Sequence, residues 1–132
     1  PEGDDGTRLE GHPVLVRELV RNLVDNALQY TPAGGSVTAR VIADPFGQVI
    51  VLEVEDSGPG IAPAERELVF RPFYRALGTA VDGSGLGLAI VRAIALLHRA
   101  AVDLDDARPR SAHPAAPGAR FKVRFPLRPP AG

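Results

Sequence analysis

The most informative segment of the chain is residues 13–30, which read PVLVRELVRNLVDNALQY. Its apolar residues recur at three- and four-residue spacing, and Pro13 suits an early helical position, so the pattern predicts one α-helix from Pro13 to about Tyr30. The only two asparagines of the chain, Asn22 and Asn26, lie four residues apart and therefore on one face of that helix. A side-chain amide offers a neutral oxygen to a hard cation such as Mg²⁺, although two polar residues on an exposed helix face would give the same spacing.

Two glycine-rich segments lie further along the chain. Residues 56–60, DSGPG, follow a predicted strand, and residues 83–87, GSGLG, precede a predicted helix. A glycine-rich turn that runs into a helix N-terminus is an anion-binding arrangement, because free N–H groups and the helix dipole point at the ligand. Each segment taken alone is equally well read as an ordinary loop or helix cap.

The remaining pattern predicts an α/β fold, in which helices cover one face of a sheet. In the second strand, alternation places Ile50, Leu52 and Val54 on the core side and puts Asp56 on that same side. In the second long helix, Ile90, Ile94 and Leu97 are the predicted core stripe. The predicted elements are strands at 36–43 and 48–55 joined by a turn at 44–47, a short helix at 63–68, a helix at 86–98, a strand at 102–105, a surface loop at 106–118 and a strand at 121–125.

The position of the only lysine excludes two well-known kinds of phosphate-binding site. Lys122 is the only lysine, and it lies neither in a Gly-Lys-Ser/Thr motif nor in the sequence context of the protein-kinase lysine, which excludes a P-loop and a protein-kinase site. Phosphates would therefore be bound by backbone amides, a metal ion or an arginine, of which Arg75 is the best placed. Asp56, buried at a strand end, would either brace the turn through the amides of Gly58 and Gly60 or accept a hydrogen bond from an amino group such as that of adenine.

Bulk composition indicates one globular domain over residues 1–132, with loose ends at 1–8 and 127–132. The net charge of -1 predicts neither nucleic-acid binding nor contact with an anionic membrane. The chain has no cysteine, which excludes disulfide frameworks and thiolate metal sites. It also has no methionine and no apolar run long enough for a membrane span, and we interpret it as a piece of a longer protein.

Four segments together resemble the boxes of bacterial sensor histidine kinases. Residues 22–30 resemble the N box, 56–60 the G1 box, 70–75 the F box and 83–88 the G2 box. They occur in the family's order, and the resemblance extends from about Leu9 to Phe125. It implies the Bergerat ATP-binding fold that these kinases share with gyrase-type ATPases and a heat-shock chaperone. That fold is an α/β sandwich whose mixed, mostly antiparallel sheet is covered on one face by three helices.

The resemblance implies a role for each matching residue. Asn26 would ligate Mg²⁺ on the ATP phosphates with support from Asn22, Asp56 would bind the adenine amino group, and Arg75 would lie near the γ-phosphate. Residues 76–84 would form a lid. The implied catalytic residues are Asn22, Asn26 and Arg75, and the implied ATP-binding residues are Asn22, Asn26, Gln29, Tyr30, Asp56, Gly58, Gly60, Ile61, Phe70, Phe73, Ser84, Gly85, Leu86, Gly87 and Leu88.

The same resemblance gives the expected activity. In gyrase-type relatives a glutamate that activates water fills the position of Asn22, and an asparagine cannot act as that base. This favours a protein-histidine kinase that transfers phosphate over an ATPase that hydrolyses ATP. Two alternatives remain: a serine-directed kinase of the anti-sigma type, and a degenerate nucleotide-binding docking module. Gln29 stands where a basic residue is common, which puts one phosphate contact in doubt.

The expected partners also follow from the resemblance. The acceptor histidine of such kinases lies on a separate dimerisation domain, and His12, His98 and His113 lack its sequence context. We therefore expect this chain to bind ATP and Mg²⁺ without phosphorylating itself, and to be monomeric. Its partners would be the dimerisation domain of the parent kinase and a response regulator receiver domain. The domain would be cytoplasmic, with the parent anchored in the bacterial inner membrane.

Overall fold

The computed structural model describes residues 12–43, 49–74 and 86–126. Two α-helices and four strands are found there, together with two short 3₁₀ turns. In chain order they are α1 (Pro13–Tyr30), β1 (Val37–Ala43), β2 (Val49–Asp56), the 3₁₀ turns Pro63–Glu65 and Leu68–Phe70, α2 (Gly87–Leu97), β3 (Ala101–Asp106) and β4 (Ala119–Pro126). The predicted turn at 44–47, the predicted lid and the predicted loose ends lie outside the described residues.

The strands form one sheet in the order β1-β2-β4-β3, and each described pairing is antiparallel. The alternation predicted for β2 is correct, because Ile50, Leu52, Val54 and Asp56 are all buried. β4 pairs with β2 so that Val54 lies opposite Phe121, which is fully buried. The predicted layered α/β fold is therefore confirmed, with the helices on this inner face of the sheet.

Each α-helix contributes one stripe to the core. α1 buries Leu19, Leu23 and Ala27, which follow the predicted spacing. α2 buries Leu88, Val91, Ile94 and Ala95. The predicted stripe of α2 was wrong at Ile90 and Leu97, whose exposed fractions are 40% and 70%. Since α2 is apolar on several faces, its sequence permits more than one stripe, and packing against α1 and the sheet selects the one that is buried.

The segment after β2 differs from the single short helix that was predicted at 63–68. Pro63–Glu65 and Leu68–Phe70 form two separate 3₁₀ turns. The second turn buries Val69 and Phe70, and the Phe70 ring makes an edge-to-face contact with Phe121, with centroids 6.0 Å apart. Of the three helices that the resemblance implies, the described residues therefore hold two as α-helices. None of the described helices is long and apolar enough to cross a membrane.

The outer face of the sheet carries several paired charges. Glu53 is only 7% exposed although it lies on this face. Its carboxylate pairs with Arg40 at 2.7 Å on one neighbouring strand and lies 4.0 Å from the Lys122 amine on the other. The only lysine of the chain is therefore a sheet residue far from any phosphate-binding motif.

The contact between β4 and the 3₁₀ turn predicts where stability is concentrated. Replacing Phe121 by alanine removes a fully buried ring, and we expect unfolding in urea to show a loss of about 3–5 kcal/mol. The control is Val41→Ala on β1, where the side chain is 73% exposed and the expected loss is below about 0.5 kcal/mol. Equal losses for the two variants would contradict this assignment of the core.

Candidate functional site

Asp56 ends β2 on the buried face, and its carboxylate organises the turn that follows. Its Oδ1 accepts hydrogen bonds from the backbone N–H groups of Gly58 at 2.9 Å and Ala119 at 3.2 Å. The sequence suggested Gly58 and Gly60, and only the first is correct. The second donor comes from β4 because Ala119 precedes Arg120, which pairs with Glu55 immediately before Asp56. Among the described residues, nothing donates to the other oxygen, Oδ2.

The electrostatic environment of Asp56 opposes its own charge. Burial raises the pKa of this carboxyl above its ordinary 3.8, and the negative charge of Glu55 acts in the same direction. The amides of Gly58 and Ala119 and the Arg108 guanidinium lower the pKa and so partly offset the burial. A desolvated carboxylate with an unused oxygen is a strong acceptor for a hydrogen-bond donor on a ligand.

Helix α1 carries the asparagines and connects the two glycine-rich segments. At its middle, Asn22 Nδ2 donates to the Glu18 carbonyl at 2.8 Å, and a Cβ added to Gly87 would lie 3.2 Å from Asn22 Oδ1. At its end, a Cβ added to Gly58 would lie 2.4 Å from the Tyr30 carbonyl oxygen. The eight-residue step from Asn22 to Tyr30 spans roughly 12 Å of helix.

Asn26 lies between those two contacts, one turn from each. It is half-buried, and within the described ranges its side-chain amide has no hydrogen-bond partner. An amide oxygen in that position fits a hard cation, whose ligands are neutral or anionic oxygens. No group of three or more acidic, histidine or cysteine side chains that could hold a metal occurs within the described residues. Among the described residues, the Asn26 amide is therefore the candidate metal ligand, which oxygen atoms of a bound molecule would complement.

The start of α2 faces the Asn22 side of the site. The helix begins at Gly87 without a side-chain cap, and its first backbone bond runs from the Ile90 N–H to the Leu86 carbonyl at 2.9 Å. The backbone N–H groups of the first turn of α2 therefore point out of the helix end, where the helix dipole favours an anion. The absence of a side chain at Gly87 lets this end approach α1 closely.

The other predicted site residues differ in their surroundings. Gln29 is exposed and Leu86 is half-buried. Ile61, Phe70 and Leu88 are core residues, each at most 7% exposed. Phe73 is 69% exposed and has a φ of 65°, a backbone conformation that is rare for a bulky residue. Arg75, Ser84 and Gly85 lie outside the described residues.

The segment 106–118 was predicted as a surface loop, and this interpretation missed its contact with the site. Gly118 is buried, and its N–H donates to the Gly58 carbonyl at 2.9 Å. Its φ is +74°, and an added Cβ would lie 2.0 Å from the Asp56 carbonyl oxygen. The one feature of the sequence that could have indicated this contact is that Gly118 stands directly before the alternating strand. Arg108 also reaches the site, with Nη2 donating to the carbonyls of Ser57 and Ala116.

Comparison with known proteins identifies the type of domain that holds this site. The family described as histidine kinase-, DNA gyrase B-, and HSP90-like ATPase matches residues 11–129. The chain belongs to this family, in its sensor histidine kinase branch. Over 92% of its length it superposes on a mycobacterial sensor histidine kinase MprB, covering 78% of that chain, with a TM-score of 0.81 and 40% identity. The ATP-binding domain type and the fold that the resemblance implied are thereby confirmed.

Curated relatives agree with that assignment and are much longer. The histidine-protein kinase/phosphatase MprB of Mycobacterium sp. (strain KMS) is 43% identical over 126 residues, which are 94% of this chain and 24% of the relative. Sensor protein QseC of Salmonella typhi is 45% identical over 97 residues, 74% of this chain and 20% of the relative. The chain thus spans about a quarter or less of these relatives. A full-length ShkA structure in complex with AMPPNP matches 89% of the chain at 30% identity and covers 22% of that protein, with a TM-score of 0.70.

The close approach of Gly118 to Asp56 predicts a position that tolerates no side chain. Gly118→Ala would place a methyl group against the Asp56 carbonyl, and we expect a loss of at least about 2 kcal/mol in urea unfolding. Gly34→Ala is the matched control, since Gly34 also has a positive φ, +88°, but open space around the added Cβ. It should cost only the backbone term of about 1 kcal/mol. Equal losses would mean that Gly118 matters only for its backbone angle.

Proposed function

We propose that this chain binds Mg²⁺-ATP and presents its γ-phosphate to a histidine on the dimerisation domain of a longer parent kinase. The observation that carries the proposal is the arrangement along α1. One end of the site offers a buried carboxylate next to a glycine turn, and the other offers a helix N-terminus beside Asn22, with Asn26 one helical turn away. A nucleotide has the complementary arrangement, with an amino-bearing base at one end and anionic phosphates at the other.

The base would be bound at the Asp56 end. Because Oδ1 already accepts two backbone hydrogen bonds, Oδ2 is the oxygen available to the adenine amino group. The turn at Gly58 and Gly60 would lie along the base. Only an ionised carboxylate presents its full acceptor strength to that donor, so the state of Asp56 would control affinity for the base.

The phosphates would be bound at the Asn22 end. The first-turn amides of α2 would donate to phosphate oxygens, and Asn26 would supply a protein ligand to Mg²⁺, which neutralises phosphate charge when bound. Arg75 is the proposed side chain at the γ-phosphate. Asn22 cannot remove a proton from water, so this position would protect bound ATP from hydrolysis and leave the phosphate for transfer.

The parent protein supplies the rest of the proposed reaction. The phosphate would pass to a histidine of the dimerisation domain and then to an aspartate on a response regulator receiver domain. The chain alone would be monomeric and would not phosphorylate itself. The domain would work in the cytoplasm, with the parent anchored in the inner membrane.

Calorimetry on the native chain and on Asp56→Asn tests the adenine assignment. We expect the native chain to bind ATP and the variant to lose about 1.5–3 kcal/mol of binding free energy, the scale of a hydrogen bond to a charged group. The Asp56→Asn variant should still fold, because the oxygen of its side-chain amide can accept the same hydrogen bonds from Gly58 and Ala119. Absence of ATP binding by the native chain would instead favour a docking module without turnover.

The pH dependence of the same measurement gives an independent check. Burial raises the pKa of Asp56 above 3.8, so protonation begins at a higher pH than for an exposed aspartate. Native affinity should therefore fall as the pH drops through this raised pKa, while Asp56→Asn has no such titration. The ratio of native to variant affinity removes the titration of the nucleotide itself, and a ratio that stays constant into the acid range would refute the assignment.

Magnesium dependence tests the phosphate end. We expect Mg²⁺ to strengthen ATP binding to the native chain, and Asn26→Ala to lose most of that gain because it lacks the amide oxygen. Binding measured in a metal chelator should differ little between the two proteins. Asn26→Asp keeps an oxygen ligand and should retain the magnesium effect. An undiminished gain in Asn26→Ala would show that Asn26 is not a metal ligand.

A further inference from the structure

Three of the five backbone carbonyl groups of residues 57–61 accept hydrogen bonds from neighbouring segments that the structure describes. The Ser57 carbonyl accepts from Arg108 Nη2 at 3.4 Å, and the Gly58 carbonyl accepts from the Gly118 N–H at 2.9 Å. The Ile61 carbonyl accepts two charged donors, Arg66 Nε at 3.2 Å and Arg110 Nη2 at 3.3 Å. The turn that follows Asp56 is therefore fixed by hydrogen bonds to three of its carbonyl groups.

A single carboxylate fixes the two arginines that reach Ile61. Asp106, the last residue of β3, accepts Arg66 Nη2 at 2.9 Å and Arg110 Nη2 at 2.8 Å on Oδ1, and Arg110 Nε at 3.3 Å on Oδ2. The Arg110 guanidinium holds the pKa of Asp106 below its ordinary value. Arg66, Asp106 and Arg110 are here called the arginine clamp.

The ion pairs of the clamp are less exposed to water than an ordinary surface ion pair. The side chains of Arg66 and Asp106 are only 25% and 24% exposed, so water screens their attraction incompletely. A planar guanidinium with several N–H groups joins the carboxylate and the Ile61 carbonyl at once. The position of Asp106 is thereby transmitted to the Ile61 carbonyl, at the end of the glycine turn.

The turn is closely packed on both sides, so it has little space in which to absorb a shift of Ile61. Gly60 has a φ of +78°, and a Cβ added there would lie 2.9 Å from Pro117. Gly58 packs against Tyr30 on one side and donates to Asp56 on the other. A displacement of Ile61 would therefore move the backbone that lines the base end of the site.

We propose that the arginine clamp is a positioning unit for the nucleotide site, which acts on the base end through the Ile61 carbonyl. This inference rests on the proposed function. The three residues need not touch the nucleotide. Their effect on affinity comes from the path they impose on residues 57–61.

Asp105 offers a matched control one residue earlier on β3. Its carboxylate pairs with Arg120 through two hydrogen bonds of 3.0 and 2.9 Å, and neither side chain bonds to residues 57–61. Asp105→Asn and Asp106→Asn each remove one negative charge, and they weaken contacts with one arginine (Arg120) and with two arginines (Arg66 and Arg110), respectively. Any general effect of net charge on binding an anionic nucleotide is therefore nearly the same in the two variants.

The experiment measures ATP and ADP affinity by calorimetry, and stability in urea, for the native chain, Asp106→Asn, Asp105→Asn and Asp106→Glu. We expect Asp106→Asn to lose roughly fivefold or more in affinity, the scale of a weakened charge-assisted hydrogen bond. Asp105→Asn should stay within about twofold of the native chain. Asp106→Glu, which keeps the charge, should recover part of the loss. The loss should be the same for ATP and ADP, because the clamp acts at the base end.

Each other outcome has a definite meaning. Native-like affinity in Asp106→Asn, or equal losses in the two asparagine variants, would overturn the clamp inference and leave the proposed function intact. A loss confined to ATP would also overturn it, since the effect would then lie at the phosphate end. If the native chain binds neither nucleotide, the proposed function fails, and the inference fails with it.

Discussion

The burial of the Asp56 carboxylate is the constraint on which the rest of the site depends. A carboxylate removed from water is costly unless hydrogen bonds replace its solvation. The amides of Gly58 and Ala119 do this, and their geometry dictates the turn after β2 and the point at which β4 begins. Gly118 must then pass so close to the Asp56 carbonyl that no side chain fits. The buried charge of Asp56 thus determines the conformation of the glycine turn after β2, the start of β4 and the end of the loop that precedes β4.

Helix α1 fixes the length of the site that is built around this charge. A helix has a constant rise, so the contacts of Asn22 with Gly87 and of Tyr30 with Gly58 are held at a set separation. Both contacts use glycine, because only a bare backbone can approach the helix that closely. The proposed base end and the proposed phosphate end are therefore separated by a rigid helix and not by loops.

Local periodicity predicted those parts of the molecule that depend on one face of one element. The bounds of α1 and the inward direction of Asp56 both followed from spacing alone. The core stripe of α2 did not, because its residues are apolar on more than one face and only the neighbouring layers choose between them. Of the two described partners of Asp56, Gly58 was predicted and Ala119 was missed, and both described arginine partners of Ile61 were missed. Ala119 lies 63 residues from Asp56, and Asp106 lies 40 residues from Arg66, and no local pattern encodes such pairs.

The orientation of Asn22 gives a physical reason for the proposed cation at the proposed phosphate end. Its Nδ2 must face the Glu18 carbonyl, to which it donates, so the amide directs its oxygen toward the start of α2. An oxygen acceptor beside anionic phosphates is repulsive unless a positive charge lies between them. The N–H groups of α2 supply part of that charge, and a divalent ion on Asn26 would supply the remainder. The Asn22 amide is too weak a base to activate water, and it would also make binding of the phosphates depend on the metal. Retention of the γ-phosphate and dependence on magnesium would then both follow from this one side chain.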